Sequence, residues 1–169
     1  MKTFILLLAL SLPAIACAGT PGEVEIGGYL REGPLNGLMI KSSKLSAYRG
    51  KPLIINVWAS WCSPCRAEMA SLQRLANRYG GKQFNVIGIS TDDYPDAATG
   101  FLKQAKITFP NYIDNKLFWE NMLGANTIPL TLLVDGRGRV VEKVRGVREW
   151  DSPEIVKAIG QALRVKMPL

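Results

Sequence analysis

The fold is decided by the run Pro52-Leu53-Ile54-Ile55-Asn56-Val57-Trp58-Ala59-Ser60-Trp61-Cys62-Ser63-Pro64-Cys65. Its first half is nearly continuous in apolar, β-branched residues over the length of one strand, the pattern of a strand covered on both faces. A helix follows at once. From Pro64 to Tyr79 the apolar positions Met69, Leu72, Leu75, Ala76 and Tyr79 recur at three and four, and Gly80-Gly81 supplies a stop. Cys62 therefore falls at the N-terminus of a helix, exposed, with Cys65 one turn inside. Unsatisfied backbone N–H groups and the helix dipole stabilise a thiolate there, lowering a thiol pKa from about 8.5 toward the range of about 3.5 to 7.5 found in CxxC motifs. Cys62 reads as the nucleophile that forms a mixed disulfide with a substrate, and Cys65 as the thiol that resolves it.

Outward from this centre, strand and helix alternate. Phe84–Ser90 reads as a second buried strand, Pro95–Lys106 as a helix, Phe109–Ile113 as a short extended piece and Lys116–Leu123 as helical. Leu130–Val134 and Arg139–Arg145 form a hairpin pattern around Asp135-Gly136-Arg137-Gly138. Ser152–Val165 closes as an amphipathic helix behind an Asp151 or Ser152 cap and Pro153. Before the first buried strand, a Gly/Pro-rich entry (Gly19–Gly37) leads to an extended candidate at Gly37–Ile40 and a turn at Leu45–Lys51. The residues before Ser43 suggest an extra hairpin on the sheet edge. The expected class is α/β in three layers, a central mixed sheet with helices on both faces.

At 169 residues and 47% hydrophobic, the chain can bury roughly 70% of its unfolded surface as one domain. The sequence contains no His, which excludes HExxH metalloproteases, C2H2 fingers and every Ser-His or Cys-His hydrolase. A zinc site needs about four ligands, and there is no second Cys pair to complete one. A purely structural Cys62–Cys65 bridge would close too short a loop to constrain the unfolded chain much. Neither metal nor cofactor is expected. The 21 Lys and Arg exceed the 14 Asp and Glu but are scattered, from Arg31, Lys41 and Lys51 to Lys157, with no run of five. That spread implies a solvated basic surface rather than a nucleic-acid patch.

Residues 1–18 have the layout of a secretory signal: one Lys, an apolar run from Phe4 to Leu12, then small residues after Pro13. The run falls short of the about 20 residues that span a bilayer, so the mature chain, 19–169, is expected to lack a transmembrane helix. Ala14-Ile15-Ala16 fits an ordinary cleavage site, while Ala14-Ile15-Ala16-Cys17 resembles a lipobox that would lipidate Cys17. Either route exports the chain to the periplasm, free or anchored.

Cys62-Ser63-Pro64-Cys65 within Trp58-Ala59-Ser60-Trp61 resembles the thioredoxin superfamily, and Leu45-Ser46-Ala47-Tyr48-Arg49-Gly50-Lys51-Pro52 resembles its exported TlpA/ResA/CcmG branch. The insertion between about Asp92 and Asp114 and the tripeptide Thr127-Ile128-Pro129 before an Asp-Gly-x-Gly turn match that branch too; together the likeness runs from about Gly33 to Gly146. It implies a thioredoxin-like fold and a thiol:disulfide oxidoreductase with no cofactor. Its partners would be protein disulfides, such as those of apocytochrome c or copper-centre cysteines, and a membrane electron donor of the DsbD/CcdA type. Pro129 would be a cis proline facing the disulfide, although it also fits a trans Pro opening an edge strand. The Ile128 backbone would pair with an extended substrate, and Trp61 and Pro64 would flank the reactive sulfur.

Cytosolic thioredoxins carry an Asp where this chain has Asn56, so another group must take the second thiol's proton. Glu68, one turn beyond Cys65 and beside the Met69/Leu72 face, is the candidate; a solvated surface Glu is the alternative. The same motif serves an exported oxidant or isomerase, and a Cys pair can carry Cu(I), although Met39, Met69, Met122 and Met167 form no cluster. A thiol peroxidase would need Pro and Thr or Ser where Ile55 and Ala59 stand.

Overall fold

The computed structural model describes residues 21–168. Residues 1–18, with Cys17, lie outside them. The elements in chain order are β1 (Pro34–Leu38), β2 (Ser43–Lys44), a 3-10 turn (Leu45–Tyr48), β3 (Leu53–Trp58), α1 (Ser63–Tyr79), β4 (Asn85–Ser90), α2 (Pro95–Gln104), β5 (Asn111–Ile113), α3 (Phe118–Leu123), β6 (Leu130–Val134), β7 (Val140–Arg145) and α4 (Pro153–Leu163). They build one seven-stranded sheet in the order β2-β1-β5-β4-β3-β6-β7. The central strands β3, β4 and β5 are parallel; β6 runs against β3, β7 against β6, and β1 against β5. This is the mixed α/β thioredoxin-like fold that the motif and its flanks imply.

Every residue of β3 is buried, and its side chains divide by parity. Ile54 and Trp58 join Met69, Leu72, Leu75, Leu102, Ile159 and Leu163 in the core beneath α1, α2 and α4. Leu53, Ile55 and Val57 join Ile87, Ile89, Leu130, Leu132, Trp119 and Met122 on the opposite face, under α3 and the N-terminal segment around Leu30. The second face is thus covered largely by irregular chain. Residues 27–30 run along the start of β7, with Gly27 N–H to Val140 O at 2.8 Å and Leu30 N–H to Gly138 O at 2.9 Å.

The N-terminal hairpin is β1 with β2, and it docks on β5. Its first strand lies at Pro34–Leu38 rather than Gly37–Ile40, because Met39 turns into the left-handed region at φ 59° and leaves Met39 and Ile40 exposed. Helix α3 starts at Phe118 rather than Lys116 for a similar reason. Leu117 is left-handed (φ 56°), and the buried Asp114 carboxylate accepts the Phe118 N–H at 2.9 Å and the Glu120 N–H at 2.7 Å, fixing the first turn from upstream.

A polar row crosses the sheet on its α1 side. Asn56 of β3 stands in register with Thr131 of β6 and Gly88 of β4, and Gly88 in turn with Asn111 of β5. Over Gly88 the Trp58 indole reaches Asn111 Oδ1 at 2.9 Å. A Cβ on Gly88 would lie 1.9 Å from that oxygen, so only glycine leaves room for the bond.

Strand directions decide what gathers at one end. The chain leaves parallel β3, β4 and β5 there, enters antiparallel β6 there, and leaves β7 there. The loops carrying Cys62, Asp92, Asp114, Ile128-Pro129 and Arg148 therefore meet at the carboxyl ends of the central strands.

Candidate active site

Cys62 is the N-cap of α1, and Pro64 occupies its first turn, where a missing N–H costs nothing. Cys62 and Cys65 are joined as a disulfide with Cα atoms 5.3 Å apart. The Cys65 N–H points at Cys62 Sγ from 3.2 Å. First-turn N–H groups and no acidic residue in that turn give this sulfur the surroundings that favour a thiolate once the bond is reduced.

Cys65 is fully covered, as its place inside the turn requires. Cys62 is only 5% exposed, not open as the helix position alone suggests. The cause is the loop before β6: the Ile128–Pro129 peptide bond is cis, and the Ile128 carbonyl oxygen lies 3.9 Å from Cys62 Sγ. Trp61, next to Cys62 in the chain, is 69% exposed.

Glu68 is 1% exposed, which removes the surface alternative. Its Oε1 accepts from Asn56 Nδ2 at 2.8 Å; its Oε2 accepts from Trp150 Nε1 at 3.0 Å and from the Arg148 N–H at 3.1 Å. Burial pushes the Glu68 pKa above the ordinary 4.5, against the opposing pull of these three donors and the Arg148 guanidinium. The loop after β7 is held in place to supply Arg148 and Trp150, since Ser71 Oγ of α1 donates to the Glu68 carbonyl at 2.8 Å and accepts the Trp150 N–H at 3.0 Å.

A second carboxylate supports the site from the loop after β4. Asp92, 3% exposed, accepts the Ser60 N–H at 2.9 Å, the Ser60 hydroxyl at 2.5 Å and the Ser90 hydroxyl at 2.6 Å. It pins the β3–α1 turn two residues before Cys62. From sequence Asp92 marks only the start of an insertion, and Arg148 and Trp150 carry no signal of their own. A polar Asn56 and Thr131 inside otherwise apolar strands are the one local hint that a buried partner exists.

The arrangement can therefore perform dithiol–disulfide exchange at Cys62 with a buried carboxyl one helical turn from Cys65. The redoxin family profile matches residues 27–159. The thiol-disulfide oxidoreductase ResA of Bacillus anthracis is 31% identical over 132 residues, 78% of this chain and 76% of that protein. ResA of Geobacillus thermodenitrificans is 27% identical over 150 residues, 86% of each. Among solved structures, one from Chlorobium tepidum described as a thiol:disulfide interchange protein DsbE superposes with a TM-score of 0.76 at 28% identity, covering 83% of this chain and 99% of that one.

Proposed function

The chain belongs to the redoxin family as a thiol-disulfide oxidoreductase of the ResA type, and from that premise we propose that it works outside the cytoplasm as a reductant of selected protein disulfides. The observation that carries the reading is the Cys62–Cys65 pair at the N-terminus of α1, faced by the Ile128 carbonyl and backed by buried Glu68.

In the reduced protein the Cys62 thiolate attacks one sulfur of a substrate disulfide. A Cys62–substrate disulfide forms and one substrate thiolate leaves. Glu68 takes the proton of the Cys65 thiol, and the Cys65 thiolate attacks Cys62 Sγ. The second substrate thiolate departs, leaving a substrate dithiol and the Cys62–Cys65 disulfide present in this structure. Two electrons have passed to the substrate, so a dithiol donor must return them before the next cycle.

A polypeptide substrate fits the rim of the site. Trp61 and Val147 are exposed apolar residues at this end of the sheet, and Ile128 and Pro129 offer a backbone edge for an extended segment. Export rests on the signal-like residues 1–18, with Cys17 as a lipid attachment point if the lipobox is used. Among the described residues no helix is long and apolar enough to cross a membrane. An oxidising compartment does not keep a dithiol reduced, which makes a membrane electron donor of the DsbD/CcdA type the fitting partner. Protein disulfides met in cytochrome c maturation or metal-centre assembly are the fitting substrates.

The direct test is trapping. Reduced Cys65→Ser mixed with a disulfide-bonded peptide is expected to accumulate a mixed disulfide on Cys62, readable by intact mass, whereas Cys62→Ser accumulates none. Normal turnover by Cys62→Ser would refute the mechanism.

A further inference from the structure

Asn56 has no solvent exposure. Its Nδ2 group spends both hydrogens, on Glu68 Oε1 at 2.8 Å and on Thr131 Oγ1 at 3.0 Å. Its Oδ1 is buried and meets no hydrogen-bond partner among the described residues, so turning the amide breaks no bond at that atom, while the N–H hydrogens carried there lose their present acceptors at about 1–3 kcal/mol each, a cost that a new bond from protonated Glu68 has to offset.

The far side of Glu68 behaves differently. Oε2 faces the Arg148 N–H and the Trp150 indole N–H, groups that only donate. A protonated carboxyl needs an acceptor for its O–H, and the partners that the described residues supply at Oε2 include none. The proton taken up by Glu68 is thereby directed to Oε1, where the neighbour is the Asn56 amide. Turning that amide by 180° about Cβ–Cγ puts Oδ1 where Nδ2 stood, exchanging a donor for an acceptor without moving the backbone. Thr131 can follow, because a hydroxyl both donates and accepts.

We propose that Asn56 is a positioning residue whose side-chain amide turns over with the protonation of Glu68, keeping Oε1 hydrogen-bonded in both states and confining the proton to that oxygen. This rests on the reading of Glu68 as the base for Cys65. The charged group facing Glu68 from the β7–α4 loop is Arg148; β3 and β6 contribute neutral Asn56 and Thr131, and α1 contributes Ser71 and the cysteine pair. An Asp at position 56 would place two carboxyls on one proton, and an aliphatic residue could serve neither state. Asn is the residue type that answers to both.

The test follows the Glu68 side-chain carboxyl by 13C NMR and the Asn56 side-chain amide by 15N–1H NMR in the intact reduced protein between about pH 4 and 9. The proposal expects the NOEs from the Asn56 Nδ2 hydrogens to the Thr131 side chain to be lost with the same midpoint as the Glu68 carboxyl carbon titrates, a change that a bonded but fixed amide, whose chemical shift alone moves, does not show. It also expects Asn56→Leu to raise that midpoint by about half to one pH unit, since a charge-assisted bond is about twice as strong as the neutral bond lost with it. The wild-type measurement stands even if Asn56→Leu folds poorly. An Asn56 amide that keeps those NOEs to Thr131 while Glu68 titrates overturns the proposal and leaves Glu68 as base. A pH profile for product release that is identical in wild type and Glu68→Gln overturns the base itself, and the proposal with it.

Discussion

Replacing Asp92 by Ala removes the acceptor that holds Ser60 two residues before the nucleophile. The carboxylate receives the Ser60 N–H, the Ser60 hydroxyl and the Ser90 hydroxyl within 2.9 Å and is 3% exposed. A hydrogen bond to a charged group contributes about 1.5–3 kcal/mol net, so three give a gross loss of about 4.5–9 kcal/mol. Two effects reduce it. Truncation recovers the desolvation cost of a buried carboxylate, several kcal/mol, and the two hydroxyls can rotate toward other partners. What is recovered least is the part-buried Ser60 backbone N–H, left without its acceptor at up to about 1–3 kcal/mol. The expected net destabilisation is about 2–4 kcal/mol. Asp92→Asn keeps an oxygen for the Ser60 N–H and an amide that can donate to either serine, so it is expected to cost less than about 1.5 kcal/mol. Urea unfolding of the oxidised proteins measures both, and single-turnover reduction of a small aromatic disulfide measures the site. The Ala variant is expected to react more slowly because the turn from Ala59 to Cys62, closed by the Cys62 N–H to Ala59 O bond at 3.1 Å, loses its anchor. An Asp92→Ala protein within about 0.5 kcal/mol of wild type would show that the carboxylate does not hold the turn.

Two further perturbations separate the chemistry from the scaffold. In the wild type the base form of Glu68 is populated only as pH rises through its raised pKa, so release of product is expected to accelerate across that range, above the ordinary 4.5. Glu68→Gln is expected to lose that limb and to slow release at neutral pH by at least about tenfold, below the full 10²–10⁴-fold of general-base catalysis because solvent still accepts protons. The raised folded-state pKa also makes the stabilisation from Glu68 fully present at low pH and lost as pH rises through that pKa. The stability gap between wild type and Glu68→Gln should therefore be widest near pH 4 and narrow toward pH 8; a gap that widens with pH would contradict the sign. Gly88→Ala drives a Cβ to 1.9 Å from Asn111 Oδ1 and 2.9 Å from Trp58 Nε1. Overpacking and a lost hydrogen bond together should cost about 2–4 kcal/mol in urea unfolding, and a change under about 0.5 kcal/mol would mean the sheet yields freely there.

The central strand and its helix were legible because their signals are local: an apolar run of strand length, then spacing at three and four that the structure keeps at Cys65, Met69, Leu72, Leu75 and Tyr79. The class, the mixed sheet and the N-terminal hairpin followed from the order of such runs. What sequence missed depends on backbone conformations and side-chain contacts that spacing does not encode, some local and some distant in the chain. The start of α3 is set by Asp114, the limit of β1 by a left-handed Met39, and the cover over Cys62 by Ile128, 66 positions away. Glu68 was recognisable by its spacing from Cys65, but its burial was not, because two of its three donors come from the Arg148–Trp150 loop, 80 and 82 positions distant. Asp92 gave no warning at all, since an Asp after a strand ordinarily caps or turns in solvent.

The reduction potential of the Cys62/Cys65 pair bears most directly on the claim that this oxidoreductase is a reductant. Tryptophan fluorescence against defined thiol/disulfide ratios can report it, because Trp61 adjoins Cys62 and Trp58 lies just before it in sequence. The account predicts a value near or below about −220 mV, a dithiol that gives electrons to partner disulfides and depends on a membrane source to be recharged. A value near about −120 mV would contradict it and make the same site an oxidant of folding proteins.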